Sequence, residues 1–188
     1  EIFDRIQPTV PPHWYIPYED TPMGVPPMAP FGHGYRYHVT GLIHDPKGFP
    51  TSRPDEVVPL MNRLQRKIDQ HLSDIQMWDT FMTEDAALTV VAYGCVARSA
   101  RRAVIEARQK GIRAGLLRLV TIWPFCTAAL EEVLRTSSVI LVPEMNQGQL
   151  VLEVLRVNQG QARIFTLHRV DGNIITPEEI LQRIEEVI

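Results

Sequence analysis

Proline placement constrains this chain more than any other feature. Twelve of its fifteen prolines lie before residue 60, and only Pro124, Pro143 and Pro177 lie after it. Proline fixes φ, removes a backbone donor and biases the preceding residue away from helix. Pro8, Pro11, Pro12, Pro17, Pro22, Pro26, Pro27 and Pro30 therefore make residues 1–54 an extended arm. The arm also carries Trp14, Tyr15, Tyr18, Phe31, Tyr35, Tyr37 and Phe49, whereas disordered segments are poor in aromatics. Such an arm packs along a surface, of its own domain or of a neighbour. Within it, residues 35–42 are expected as a short strand, ended by Gly41 and the turn sequence Asp45-Pro46-Lys47-Gly48. Trp14, Tyr15 and Tyr18 are expected among the most exposed large side chains unless another copy covers them. The chain opens at Glu1 within this stretch and shows no signal-peptide pattern, so it is expected to be a piece of a longer polypeptide.

Residues 55–84 read as a linking amphipathic helix. Val57, Met61, Leu64, Ile68, Leu72, Ile75 and Trp78 recur at spacings of three and four. Asp55 and Glu56 after Pro54 suit a helix start. Residues 85–188 then alternate. Strands are expected at 88–93, 115–120, 139–142 and 162–167. Helices are expected at 97–109, 127–134 and 147–157. Thr176-Pro177-Glu178-Glu179 has a capping-box pattern and opens a last helix to about residue 187. This order predicts an α/β fold: a three-layer, open, mostly parallel sheet with helices on both faces.

Composition narrows the function. A formal net charge of −3 and a pI near 6.1 give no basic surplus for nucleic acid. No apolar run is long enough for a membrane span. Two cysteines, Cys95 and Cys126, exclude a disulfide scaffold or a four-cysteine zinc or iron–sulfur site within the chain. A cytoplasmic location follows as the default.

In an open parallel sheet, ligands bind beyond the carboxyl ends of the strands. Four loops stand there, beginning at Gly94, Thr121, Pro143 and His168. Gly94 before a helix resembles half of a phosphate-binding turn, but the remaining glycines and the P-loop lysine are missing. It reads equally as a tight turn between strand and helix. Gly94, Arg98 and Arg102 are the candidates for phosphate contact, with Arg101 beside them; the same arginines also read as a solvated face. Pro143-Glu144-Met145-Asn146-Gln147-Gly148-Gln149 packs one carboxylate and three amides at a strand end. Glu144 there is suited to accept backbone N–H groups and Asn146 to cap a helix. Alternatively, Glu144, Asn146 and Gln149 form a polar contact surface. His38, His44 and Asp45 match no metal-ligand spacing. Cys95 lies at a helix start, where thiols gain reactivity, but no histidine adjoins it. No catalytic constellation is legible.

Val39-Thr40-Gly41-Leu42-Ile43-His44-Asp45-Pro46-Lys47-Gly48 resembles the V-T-G-x-x-H-D-x-x-G signature of the α subunits of 2-oxoacid:ferredoxin oxidoreductases of the 2-oxoglutarate synthase type. Arg63-Leu64-Gln65-Arg66-Lys67 stands where the family carries an R-x-x-K helix. Glu144 to Leu150 is similar to its E-x-N-x-G-Q-L loop. Gly94 with Ala100, Arg101 and Ala103 resembles its glycine turn, with Cys95 in place of the usual serine. Leu119 to Phe125 is similar to its L-R-P-L-W-P-F strand end. The resemblance implies a domain like the C-terminal domain of transketolase, together with its connecting arm. It implies an enzyme that decarboxylates a 2-oxoacid on thiamine diphosphate and Mg2+. Electrons leave through an iron–sulfur cluster to ferredoxin, and the acyl group goes to coenzyme A. The implied partners are a β subunit and an upstream pyrimidine-binding domain, with a homodimer left open. The chemistry would lie outside this chain, and Glu144, Asn146, Gln149, His44 and Asp45 would be contact residues. Two other readings stand beside this one. The first is an independent coenzyme- or nucleotide-binding module. The second is the equivalent domain of a pyruvate-dehydrogenase-type β subunit.

Overall fold

Proline-rich backbone leaves carbonyls without ladder partners, and buried carbonyls need donors. In this protein, seen in a computed structural model that describes residues 4–188, tyrosines supply them. Tyr15 donates to the Pro27 carbonyl at 3.0 Å and accepts from the Ala29 N–H at 3.2 Å. Tyr35 donates to the Val10 carbonyl at 2.9 Å, and Tyr37 to the Ala29 carbonyl at 3.1 Å. Tyr15 meets Tyr35 and Tyr37 edge-on, with centroids 5.1 and 5.6 Å apart. Helix α1 (Pro54–Asp69) belongs to the same compact unit, which ends at Leu72. The one buried side chain of α1 is Arg63, which donates to the carbonyls of Tyr18 at 2.6 Å and Glu19 at 3.3 Å.

The strand expected at 35–42 does not form. Its tyrosine hydroxyls go to carbonyls of the arm, and the strand-like pairing nearby is a single bridge between His44 and Pro50. Trp14 is 70% exposed, as expected. Tyr15 and Tyr18 are half-buried, which corrects the expectation for them: Tyr15 joins the tyrosine cluster and Tyr18 packs on His44.

The second unit begins at Ser73. Its strands are β1 (Trp78–Phe81), β2 (Leu88–Tyr93), β3 (Ala114–Leu119), β4 (Val139–Glu144) and β5 (Arg163–His168). They form one sheet in the order β1-β3-β2-β4-β5, parallel except for β1. The pleat sends alternate residues to opposite faces. Val90, Ala92, Leu116 and Leu141 pack under α3 (Val96–Gln109) and α6 (Pro177–Val187). Val91, Leu117, Ile140 and Val142 pack under α4 (Thr127–Leu134) and α5 (Leu150–Asn158). The three-layer, mostly parallel α/β architecture is the one the alternation predicts.

Two elements differ from expectation. The helix expected over 55–84 stops at Asp69; a short α2 (Leu72–Ile75) follows, and Trp78 enters β1. Trp78–Phe81 pairs antiparallel with β3, a long-range contact that local periodicity does not report. Helix α5 starts at Leu150 instead of residue 147. The Asn146 Oδ1 takes the N–H groups of Gly148 and Gln149, so the chain turns first.

The capping box at α6 is complete. The Glu179 N–H donates to Thr176 Oγ1, and the Thr176 N–H donates to Glu179 Oε2 at 2.8 Å. The Thr176 N–H, and secondarily the Arg169 guanidinium, hold the Glu179 carboxyl below its ordinary value of 4.5. Its folded pKa is depressed, so its contribution is full above the unfolded value and is lost as pH falls through the folded one. Unfolding free energy measured against pH is expected to fall on the acid side. Glu179→Gln is expected to flatten that limb; parallel curves would remove Glu179 from the account. Thr176→Ala is expected to cost about 1 kcal/mol in urea unfolding.

Among the described residues no helix is long and apolar enough to cross a membrane. No group of three or more His, Cys, Asp or Glu among them could hold a metal ion.

Candidate functional site

The loop after β4 is built around a buried carboxylate. Glu144 ends the strand fully buried, directly under the first turn of α5. Its Oε2 accepts the Leu150 N–H at 2.8 Å and its Oε1 accepts the Val151 N–H at 3.1 Å. Helix N-termini leave such donors unpaired and favour negative charge. His168, at the end of the neighbouring β5, places Nε2 3.6 Å from Glu144 Oε1. Glu144 thus accepts backbone N–H groups, as its place before a helix suggests, and does so fully buried within the chain. Gly148 sits at φ +96°, and a Cβ there would lie 3.0 Å from His168 Cε1. The glycine lets the loop close over the histidine.

Asn146 is half-exposed. Its Oδ1 accepts from Gly148 and Gln149 at 2.7 and 3.0 Å, and its Nδ2 donates to the Tyr93 hydroxyl at 3.0 Å. It therefore orders the loop and ties the ends of β2 and β4 together, and it does not cap α5. Gln147 and Gln149 are exposed at the loop surface. At the end of β5, Arg169 donates to Glu179 and to the Ile174 carbonyl, joining that loop to α6.

The candidates for phosphate contact separate. Gly94 and Arg98 line one cleft of about 480 Å3, together with Cys95, Arg101, Asp79 and Arg118. Arg102 is committed elsewhere: its Nε lies 2.6 Å from Glu106 Oε1, one helical turn on. Arg118 and Asp79, which no local sequence pattern singles out, face each other across the β1–β3 pair at 2.9 Å. The burial of Arg63, the pairing of Tyr93 with Asn146 and the place of His168 beside Glu144 are likewise set by tertiary contacts that no local pattern announces. Strand register would have found the Arg118–Asp79 pair, but β1 itself was not legible.

His44 and Asp45 form a tight turn within the first unit. Asp45 Oδ1 accepts from Lys47 at 2.8 Å and Phe49 at 3.0 Å. The His44 ring packs on Tyr18 with centroids 3.9 Å apart, and its Nδ1 lies 2.9 Å from the Asp45 carbonyl. Cys95 is exposed, its Sγ 3.7 Å from Met145 Sδ, while Cys126 is buried and burial pushes its thiol up from the ordinary value.

Comparison with known proteins places this geometry. The chain is 43% identical over 185 residues to the 2-oxoglutarate synthase subunit KorA of Methanothermobacter thermautotrophicus, a match covering 98% of the chain and 49% of that protein. The chain thus spans about half the length of such curated relatives. Its fold superposes with a TM-score of 0.82, at 24% identity, on a chain of the 2-oxoglutarate:ferredoxin oxidoreductase from Magnetococcus marinus, a structure with 2-oxoglutarate, coenzyme A and succinyl-CoA bound. That superposition covers 99% of this chain and 32% of the other. A split-gene transketolase, an inactive β4 tetramer, is similar in fold at a TM-score of 0.51 and 17% identity, over 58% of this chain and 40% of its own. Residues 86–180 match the family model of the pyruvate:ferredoxin oxidoreductase core domain II, and the chain belongs to that family.

Proposed function

We propose that this chain is the assembly-supporting α/β domain, with its connecting arm, of the α subunit of a 2-oxoacid:ferredoxin oxidoreductase. The observation that carries this reading is the 43% identity to a 2-oxoglutarate synthase subunit over 98% of the chain. The reaction is oxidative decarboxylation of a 2-oxoacid, of which 2-oxoglutarate is the first candidate. Substrate and coenzyme A give acyl-CoA and CO2, and two electrons pass to ferredoxin. Thiamine diphosphate with Mg2+ supplies the decarboxylation chemistry, and an iron–sulfur cluster carries the electrons. With one exposed and one buried cysteine, this chain does not fit a cluster, so the cluster belongs elsewhere in the enzyme.

In this reading residues 1–54 are the inter-domain arm, 55–84 the link and 85–188 the domain proper. The partners are the β subunit, the upstream pyrimidine-binding domain and, through the complex, ferredoxin. The enzyme is cytoplasmic. The polar side chains at the strand ends support an assembling role. Glu144, Asn146 and Arg169 spend their hydrogen bonds on the chain itself, which makes a rigid platform. Asn146 and the exposed Gln149, with Glu144 behind them and His44 and Asp45 in the arm, are the contact candidates.

Reduction of a viologen dye tests the proposal, in the presence of 2-oxoglutarate, coenzyme A, thiamine diphosphate and Mg2+. The purified chain is expected to give none, and the α subunit assembled with its β subunit is expected to turn over. Turnover by the purified, iron-free chain alone would contradict it.

A further inference from the structure

Beneath the first turns of α3, against the β1 edge of the sheet, lies the cleft of about 480 Å3 already described. That volume falls within the range of small-molecule sites. Its walls carry three guanidiniums, Arg98, Arg101 and Arg118, and one carboxylate, Asp79. The lining therefore holds an unmatched surplus of positive charge. Like charges gathered on one wall are unfavourable unless an anion joins them. Phe81 and Leu116 supply the apolar part of the lining, and a low-dielectric wall focuses the field of the cations above it.

Two of the three arginines are also held in place. The Arg101 guanidinium lies 4.0 Å from the centre of the Phe81 ring, a cation–π contact that seats it against the apolar wall. Asp79 holds Arg118 at 2.9 Å through one nitrogen, Nη1. Planar guanidinium forks match phosphate oxygens two at a time. Arg102, on the same helix, is neutralised by Glu106 and does not line the cleft.

We infer that this cleft binds the phosphate or diphosphate group of a small organic ligand, gripped by Arg98, Arg101 and Arg118. The inference concerns this chain's own residues and does not rest on the reading of the whole enzyme.

Cys95 lines the same cleft and reports on its occupancy, while the buried Cys126 serves as internal reference. The test is the rate of Cys95 alkylation by iodoacetamide on the purified protein, with pyrophosphate as probe and sodium chloride at matched ionic strength as control. Pyrophosphate is expected to slow alkylation. In Arg98→Gln/Arg118→Gln the half-protecting concentration is expected to rise roughly tenfold or more, as two charge-assisted contacts are lost. Arg102→Gln is expected to change nothing. Asp79→Asn, which removes the opposing charge, is expected to tighten protection and stands as an independent arm should the double variant not fold. Absence of protection, equal protection in the double variant, loss through Arg102 alone, or citrate protecting as well as pyrophosphate would each overturn the inference.

Discussion

Glu144→Ala is expected to lower the unfolding free energy of the second unit by about 3 kcal/mol. The carboxylate is fully buried and accepts two backbone N–H groups at the start of α5, from Leu150 and Val151. Alanine leaves both donors buried without a partner, and it leaves a void where the carboxylate stood. Hydrogen bonds to a charged group are worth about twice neutral ones. Glu144→Gln keeps one oxygen to accept but loses the charge, so its cost is expected to fall between wild type and Ala. Urea unfolding measures both, read as a shifted midpoint at unchanged slope. A loss under about 1 kcal/mol for Glu144→Ala would mean that water replaces the carboxylate at no cost.

Gly48→Ala is expected to break the turn that closes the arm, at a cost of about 3 kcal/mol or more to the first unit. Gly48 has a φ of +91°, which only glycine adopts without strain. The space is also closed: an added Cβ would sit 2.3 Å from the His38 carbonyl oxygen. Backbone cannot yield as a flexible side chain does. The Asp45 turn would open and the packing of His44 on Tyr18 would be lost with it. Limited proteolysis between residues 36 and 50 is expected to accelerate strongly in the variant. An unchanged cleavage rate would contradict this account of the turn.

The sheet was legible where a segment's own residues decide its state. Leu88–Tyr93 is a continuous apolar run that ends in a glycine, and it forms the fully covered central strand. Thr176 and Glu179 announce α6 because a capping box is a local device. Trp78–Phe81 was not legible. Its four residues carry no usable alternation, and it becomes a strand only by pairing with β3. The arm failed for a related reason: its tyrosines looked like strand residues, yet their hydroxyls serve carbonyls far along the chain. In the candidate site, the acceptor role of Glu144 could be read from its place before a helix. Its complete burial could not, because that depends on how α5 lies over β4. The cleft was half legible. Gly94 and Arg98 are close in sequence, whereas Arg118 and Asp79 join them only through strand register.

The central claim is that this domain supports assembly and leaves the chemistry to its neighbours. Gln149 tests it most directly, since its side chain is exposed at the end of the loop that Glu144 and Asn146 hold rigid. The measurement, on the enzyme proposed above, is sedimentation of the proposed α subunit carrying Gln149→Arg with the proposed β subunit, with kcat determined per assembled complex. The account predicts weaker association and an unchanged kcat in the complexes that form. Full assembly with a lost kcat would contradict it.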